Sequence, residues 1–296
     1  MQESSHKAGF VSIIGRPNVG KSTLMNALVG EKLSIITSKA QTTRHRIMGI
    51  LSGPDFQIVY SDTPGVITPK YELQKSMMSF VNASLEDADV ILWVVDVTEE
   101  DINEELFKRV LHSEVPVIFL LNKIDLIGEV EAEKRLEVWK TKVKALHYLP
   151  VSAISKKNID LVLGLIIQQM PVHPPYFPAD ELTDKTQRFF AAEIIREKIF
   201  LHYDKEVPYS CEVAIIEFKE DKKIIRIQAE IYVERTSQRS IIIGKGGAAI
   251  KQVGIEARKD MEAFFGKQVH LETYVKVETD WRKRDSQLRK FGYNNS

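Results

Sequence analysis

The feature that most constrains this chain is an eight-residue motif near its start, Gly15-Arg16-Pro17-Asn18-Val19-Gly20-Lys21-Ser22. It follows an apolar run at residues 10–14 and leads into residues 23–28, a pattern that predicts a strand before the motif and a helix after it. Glycine at both ends lets successive backbone N–H groups turn toward one point, at the positive end of the following helix. The motif therefore predicts a phosphate-binding loop, and a glycine-rich turn that binds nothing is the alternative.

The residue types in this loop suit contact with a nucleotide and a metal ion. Lys21 is expected against the β- and γ-phosphates, where it would act in catalysis, and the Ser22 hydroxyl would bind Mg²⁺. The residues that we predict to contact the nucleotide here are Gly15, Arg16, Pro17, Asn18, Val19, Gly20, Lys21, Ser22 and Thr23.

A second stretch, Asp62-Thr63-Pro64-Gly65, follows a predicted strand at its carboxyl end, where ligands of open α/β sheets bind. Asp62 is expected to hold Mg²⁺ through a water molecule, and the Gly65 N–H is expected to meet the γ-phosphate and so contribute to catalysis. All four residues are assigned to the nucleotide site.

Two further stretches predict recognition of guanine. Asn122-Lys123-Ile124-Asp125 follows the apolar run at 117–121, and Ser152-Ala153 follows the run at 149–151. The Asp125 carboxylate can accept two hydrogen bonds from guanine, a pair that adenine cannot offer, and the Ala153 N–H is expected at guanine O6. We therefore assign Asn122, Lys123, Asp125, Ser152 and Ala153 to the binding of GTP or GDP.

A mobile loop should complete the metal site with a threonine that closes over Mg²⁺ and the γ-phosphate. Gln41-Thr42-Thr43-Arg44 is the candidate, with Thr43 favoured and Thr42 left open. The expected metal set is Ser22, Thr43 and Asp62, and the expected catalytic set is Lys21, Thr43 and Gly65.

The residue after Gly65 departs from the usual pattern, because Val66 stands where GTPases that orient water carry glutamine. Val66 cannot form a hydrogen bond with water. The attacking water would then be ordered by backbone groups, by Mg²⁺ or by a monovalent ion such as K⁺ near Asn18. The alternative is that Val66 simply packs in an enzyme that hydrolyses slowly.

The overall pattern predicts two domains. Strands are expected at 9–14, 49–52, 56–61, 90–95, 117–121 and 149–151, and helices at 73–85, 104–111, 130–146 and 159–170. This α/β order predicts a mostly parallel sheet over residues 1–170, with only the second and third strands antiparallel. Four prolines in residues 171–178 place a stiff linker at 171–183.

Residues 184–296 predict a smaller α+β domain with a helix at 186–203, strands at 210–219, 223–233 and 268–277, and a helix–loop–helix around Gly244. Glycines in that loop allow close approach of a nucleic-acid backbone. The residues predicted to bind RNA are Ile243, Gly244, Lys245, Gly246, Gly247 and Lys251. A helix–helix turn without a ligand is the alternative.

Composition indicates an ordinary globular protein, with 44% hydrophobic residues, 41 basic against 41 acidic residues, and no run long enough to span a bilayer. The amino terminus predicts no signal peptide, the single cysteine, Cys211, fits a reducing compartment, and the seven histidines show no metal-binding spacing. Residues 1–180 hold 19 basic and 22 acidic residues, whereas residues 181–296 hold 22 and 19. Five cations form a basic tail, at Arg282, Lys283, Arg284, Arg289 and Lys290.

These motifs together resemble those of the bacterial Era GTPases, a phosphate-loop GTPase domain joined to a carboxyl-terminal type II KH domain. The resemblance also covers Gln41-Thr42-Thr43-Arg44-His45-Arg46 and the predicted helix residues 186–189 and 193–198. It implies a cytoplasmic, monomeric protein that binds the 3′ end of 16S ribosomal RNA, but not DNA, and helps mature the small (30S) ribosomal subunit. Peripheral association with the inner membrane is also implied, although the sequence contains no amphipathic anchor. The rival hypothesis is an RNA-binding module in which nucleotide hydrolysis is incidental.

Overall fold

The computed structural model describes residues 6–102 and 114–293, and residues 104, 108 and 110 between them. The helix predicted at 104–111 lies for the most part outside the described residues. The chain forms two compact units, which divide between Asp184 and Lys185, and the short stretch Lys70–Ser76 groups with the second unit. No helix in the described part of the chain combines the length and apolar character needed to cross a bilayer.

The first unit is built on a six-stranded sheet in the order β2-β3-β1-β4-β5-β6. Its strands are β1 (Lys7–Ile14), β2 (Ile47–Ser52), β3 (Phe56–Asp62), β4 (Val90–Asp96), β5 (Val117–Asn122) and β6 (His147–Pro150). Only β2 and β3 pair antiparallel, across the short turn after Ser52, and the other pairs are parallel. Every residue of β4 and β5 is buried, as expected for central parallel strands. The predicted fold class is confirmed.

Four helices in this part of the chain are described: α1 (Lys21–Val29), α2 (Glu72–Glu86), α3 (Glu129–Lys142) and α4 (Ile159–Gln169), and the first residues of α2 group with the second unit. The prediction of one helix over 130–146 was wrong at its carboxyl end, because Val143 is extended. The Tyr148 hydroxyl donates to the Val143 carbonyl at 2.5 Å and accepts from the Ala145 N–H at 2.8 Å. A side chain from β6 thus satisfies backbone groups that a longer helix would have paired internally.

The proline-rich segment at 171–184 runs along the first unit and bonds to it throughout. The buried Gln57 side chain accepts from the Tyr176 and Phe177 N–H groups and donates to the Phe177 carbonyl at 2.8 Å. Farther on, the Ile50 N–H donates to the Leu182 carbonyl. This segment, which we call the strap, therefore covers the edge of the sheet formed by β2.

The second unit has a three-stranded sheet in the order β7-β8-β9, in which β7 and β8 are antiparallel and β8 and β9 are parallel. Its elements are α5 (Gln187–His202), α6 (Val207–Ser210), β7 (Glu212–Glu220), β8 (Ile224–Val233), α7 (Thr236–Ile243), α8 (Ala248–Phe265), β9 (Gln268–Val277) and α9 (Asp285–Lys290). Apolar residues from helices and sheet, including Ile195, Ile227 and Met261, form one core. The short helix α6 was missed by the sequence analysis, which began the strand at residue 210.

The carboxyl-terminal segment after β9 is folded onto the second unit. Trp281, Leu288 and Tyr293 are fully buried, and Trp281 Nε1 donates to the Ser210 carbonyl at 2.8 Å. The Tyr293 hydroxyl donates to Glu212. The segment that carries the basic tail is thus anchored by three buried side chains.

Candidate nucleotide-binding site and glycine turn

The loop between β1 and α1 requires glycine at both ends for steric reasons. A Cβ on Gly15 would lie 2.3 Å from the Val94 carbonyl oxygen, and one on Gly20 would lie 2.3 Å from Asn122 Nδ2. Gly20 also adopts a left-handed conformation, with φ 97°, immediately before α1 begins at Lys21. The loop is therefore closed tightly around the helix amino terminus, where backbone N–H groups are free to bind an anion.

The Lys21 side chain is buried and folded back over this loop. Its Nζ donates to the Arg16 carbonyl at 2.8 Å and to the Gly15 carbonyl at 3.2 Å. Burial lowers the pKa of Lys21 to about 8, although the charges of Asp62 and Glu99 act in the opposite direction. A bound phosphate would supply the negative charge that this buried ammonium group lacks.

The three residues predicted to hold Mg²⁺ lie together. Ser22 Oγ donates to Asp62 Oδ2 at 2.7 Å and lies 2.9 Å from Thr43 Oγ1. Asp62 is fully buried, and burial raises the pKa of its carboxyl group. Its Oδ1 atom accepts no hydrogen bond within the described part of the chain. Hydroxyl and carboxylate oxygens are the ligands that Mg²⁺ prefers, so this donor set fits the ion.

The hydroxyl groups of Thr42 and Thr43 point to different partners. Thr42 Oγ1 donates to the Lys39 carbonyl at 2.7 Å and lies 2.6 Å from Thr37 Oγ1, within its own loop. Only Thr43 reaches Ser22. This geometry favours Thr43 over Thr42 as the threonine of the metal site.

The residues after Asp62 pack against the phosphate-binding loop. Thr63 Oγ1 donates to the Ile13 carbonyl at 2.9 Å, and the Val66 N–H donates to the Gly15 carbonyl at 3.1 Å. A Cβ on Gly65 would lie 2.5 Å from Pro17 N. Val66 itself is 2% exposed, so its side chain contributes to packing.

A cavity of about 450 Å³ opens between the loop and the Thr42–Thr43 region. Its lining combines the phosphate-binding residues with the mobile-loop candidates: Pro17, Asn18, Gly20, Lys21, Ser22, Thr23, Ile35, Ile36, Thr37, Ser38, Gln41, Thr42, Thr43, Gly65 and Lys123. Asn18 Nδ2 donates across it to the Ser38 carbonyl at 2.8 Å.

The residues predicted to recognise guanine form one hydrogen-bonded group. Asn122 is buried, donates to the Val19 carbonyl at 2.8 Å and accepts from the Ala153 N–H at 3.0 Å. Ser152 Oγ donates to Asp125 Oδ1 at 2.5 Å, and Asp125 is exposed. The Ala153 N–H expected at guanine O6 is therefore already engaged by Asn122, and the O6 contact stays a prediction.

Two carboxylates at the end of β4 and just after it were not predicted as part of the site. Asp96 Oδ2 lies 2.6 Å from Lys123 Nζ, and Glu99 Oε2 lies 3.2 Å from Arg16 Nε. Asp96 thus contacts the guanine motif through Lys123, and Glu99 contacts the phosphate-binding loop through Arg16. Their position directly after a predicted strand, at the same edge as the other motifs, is the signal that would have found them.

In the second unit, the predicted RNA-binding residues form an open turn between α7 and α8. Gly244 has φ 71° and ψ 177°, and Gly246 and Gly247 also have positive φ. A Cβ on Gly244 would lie 2.6 Å from that of Ala249, whereas nothing lies within 4 Å of one on Gly246 or Gly247. The empty space at these two positions leaves room for a close ligand backbone.

The cations beside the glycine turn differ from those of the basic tail in their partners. Lys245 and Lys251 are exposed and belong to no ion pair among the described residues. Within the basic cluster, Arg282 pairs with Glu234, Lys283 with Asp280 and Arg284 with Glu278. Lys290 lies over the Tyr232 ring. Three of the five cations of the basic tail are therefore engaged by carboxylates of their own unit.

Comparisons with known proteins cover both units. A family described as a 50S ribosome-binding GTPase matches residues 10–123, and a KH domain family matches residues 206–282. The chain is 44% identical to GTPase Era of Syntrophus aciditrophicus, over 97% of this chain and 95% of the relative. It is 45% identical to a chloroplastic GTPase ERA-like protein of rice, over 98% and 70%. A crystal structure of Era in complex with MgGDPNP and nucleotides 1506–1542 of 16S ribosomal RNA matches 98% of this chain and 100% of that one, at 41% identity and TM-score 0.93.

Proposed function

The chain belongs to the Era family of GTPases, and from that premise we propose that it is a GTP-operated switch that binds the 3′ end of 16S ribosomal RNA and assists assembly of the small ribosomal subunit. As a member of this family it binds GTP and hydrolyses it to GDP and phosphate with Mg²⁺. The observation that carries the RNA proposal is the match, along nearly the whole chain, to Era in complex with 16S ribosomal RNA.

The proposed roles at the nucleotide follow from the geometry of the first unit. Lys21 and the N–H groups of its loop would bind the phosphates, and Gly65 would donate to the γ-phosphate. Ser22, Thr43 and Asp62 would hold Mg²⁺, which neutralises charge that develops on the phosphate oxygens. Asp125, oriented by Ser152, would select guanine, because adenine would leave its carboxylate unpaired.

We further propose that a monovalent cation assists the attacking water. Val66 is buried and has no group that binds water, so another element must orient it. The nearby Asn18 side chain is a candidate ligand for K⁺. We expect turnover to be faster in K⁺ than in Na⁺, and Asn18→Ala to remove that difference. A K⁺ dependence that survives Asn18→Ala would exclude this role, and turnover of Val66→Gln in both salts would show whether a glutamine replaces it.

The remaining assignments extend the family resemblance. We propose residues 1–170 as the GTPase domain, 171–183 as a linker, and 184–296 as the RNA-binding domain, whose contacts are made by Ile243, Gly244, Lys245, Gly246, Gly247 and Lys251. We also propose a cytoplasmic monomer, with peripheral membrane association as a further hypothesis. The partner that we propose is the small ribosomal subunit.

A switch requires that GTP and RNA binding be coupled. GTP is expected to order the loop around Thr43 and the segment after Gly65, and that change should favour RNA binding. By linkage, RNA must then tighten GTP binding by the same factor. The test is the affinity for RNA measured with GDP and with GDPNP. Equal affinities would contradict the switch.

A second function remains to be separated from this one: an RNA-binding protein in which the nucleotide is incidental. Lys21→Ala should abolish nucleotide binding and leave the glycine turn of the second unit folded. Loss of ribosome-assembly activity in this variant supports the switch, whereas full activity supports the alternative. Binding of RNA by the purified variant serves as the control for folding of the second unit.

A further inference from the structure

Asp96 belongs to none of the sequence motifs, yet it ends β4 beside the nucleotide site. It lies in register with Asn122 of β5, and the residue is 9% exposed. Its two carboxylate oxygens have separate partners. Oδ1 accepts from the Thr98 N–H at 2.8 Å and from Thr98 Oγ1 at 2.9 Å, whereas Oδ2 lies 2.6 Å from Lys123 Nζ.

Lys123 is the residue that makes this pair relevant to the nucleotide. It belongs to the predicted guanine motif and lines the cavity. Its backbone is left-handed, with φ 67°, where the turn at Ile124–Leu126 begins. A lysine side chain has four rotatable bonds and loses much conformational freedom when a ligand fixes it. An anchor on its ammonium group removes part of that cost before binding.

We propose that Asp96 is a positioning residue for guanine-nucleotide retention, acting through Lys123. Its carboxylate holds the Lys123 ammonium group, so that the lysine side chain is ordered along the wall of the pocket. Asp96 itself does not touch the nucleotide. The inference rests on the proposed nucleotide site and predicts an equal effect on GDP and GTP, because neither Asp96 nor Lys123 is among the residues assigned to Mg²⁺ or to the γ-phosphate.

The charge balance at Asp96 agrees with this role. Burial opposes ionisation of the carboxyl group, but hydrogen bonds from Lys123 and Thr98 outweigh burial and lower its pKa. The group therefore remains a carboxylate near neutral pH and can anchor a cation. A purely structural role, the shaping of the turn after β4, would instead depend on the bonds between Oδ1 and Thr98.

Asp96→Asn separates the two roles, because asparagine keeps an oxygen for Thr98 and loses the charge that faces Lys123. We expect a fluorescent GDP analogue to dissociate about tenfold faster from this variant in stopped-flow measurements, with a similar change for a GTP analogue. Thr98→Val is the matched control. It removes one bond to Oδ1, keeps the ion pair, and should change dissociation less than twofold.

The decisive measurement is the same substitution in a Lys123→Ala background. If Asp96 acts through Lys123, Asp96→Asn adds no further acceleration there. Wild-type dissociation rates in Asp96→Asn, or an undiminished effect without Lys123, would overturn the inference. Should Asp96→Asn be unstable, Asp96→Glu and Asp96→Gln give the same comparison of charge at matched length. Failure of the wild-type protein to bind the analogue would instead contradict the nucleotide site.

Discussion

Lys21 shows how one residue can link folding to ligand binding. Its ammonium group is buried and donates, among the described residues, to two loop carbonyls, and burial lowers its pKa from 10.5 to about 8. Between pH 8 and 10.5 the unfolded chain therefore binds more protons at this site than the folded protein. The nucleotide-free protein should accordingly gain stability from Lys21 as the pH rises through that range.

Nucleotide binding should reverse this shift and take up a proton. Phosphate oxygens stabilise the ammonium form, so Lys21 is expected to become fully protonated in the complex. Because the pKa in the nucleotide-free protein is about 8, the expected uptake is small at pH 7 and clearly larger at pH 8.5. Calorimetric titration with GDP, in buffers of different ionisation enthalpy, measures this uptake. Uptake that does not change between these pH values would contradict the assignment of Lys21.

The strap is an element whose role depends on one buried side chain. Gln57 bonds to the backbone of Tyr176 and Phe177 with both its oxygen and its nitrogen. Prolines prevent this segment from pairing as a regular strand, so a side chain replaces the missing backbone ladder. The strap also reaches β2 through Asp184 Oδ1, which accepts from the Met48 N–H at 2.9 Å. The strap therefore connects β2, which begins a few residues after Thr43, to the last residue of the first unit, Asp184.

Gln57→Ala should detach the strap locally. Two backbone N–H groups and one carbonyl lose their partner, which we expect to lower the free energy of unfolding of the first unit by about 1–2 kcal/mol. Hydrogen exchange at the amides of Tyr176 and Phe177 should accelerate in the same variant. The exposed Gln168→Ala on α4 is the matched control. Unchanged exchange at these two amides would show that Gln57 does not hold the strap.

In the second unit, the number of basic residues overstates the positive charge available to a ligand, because carboxylates pair with several of them. The amino-terminal and carboxyl-terminal parts of the chain carry small opposite charges that sum to zero. Three cations of the terminal cluster are nevertheless occupied by carboxylates of the same unit, and Trp281 and Tyr293 fix that segment in the core. The exposed lysines beside the glycine turn are the better candidates for phosphate contacts.

For the whole molecule, the difference between the paired cations of the basic tail and the exposed lysines beside the glycine turn should appear in the salt dependence of RNA binding. Each lysine that neutralises a phosphate of single-stranded RNA contributes about 0.7 to the slope of log affinity against log salt. Lys245→Ala should reduce the slope by that amount with an RNA of nucleotides 1506–1542, whereas Arg282→Gln should leave it unchanged, because Arg282 already pairs with Glu234. Equal reductions in both variants would contradict this division of the cations.

The local motifs could be predicted from the sequence because their physics is local. Gly20 is required by the conformation of one turn, and the Lys21–Ser22 pair gains its meaning from the strand before it and the helix after it. Apolar periodicity likewise predicted the mostly parallel sheet, and the motifs carried the family resemblance; both are confirmed.

Only the tertiary structure decided which side chains meet across the chain. Asp96 pairs with Lys123, and Gln57 forms hydrogen bonds to the strap. Asn122 bonds to both Val19 and Ala153. Trp281, next to the basic tail, is buried and donates to the Ser210 carbonyl. None of these contacts leaves a periodic signal, because each joins residues far apart in sequence whose distance is set by the packing of other elements. The residue types determine which groups can donate or accept a hydrogen bond, but the folded structure determines which donor meets which acceptor.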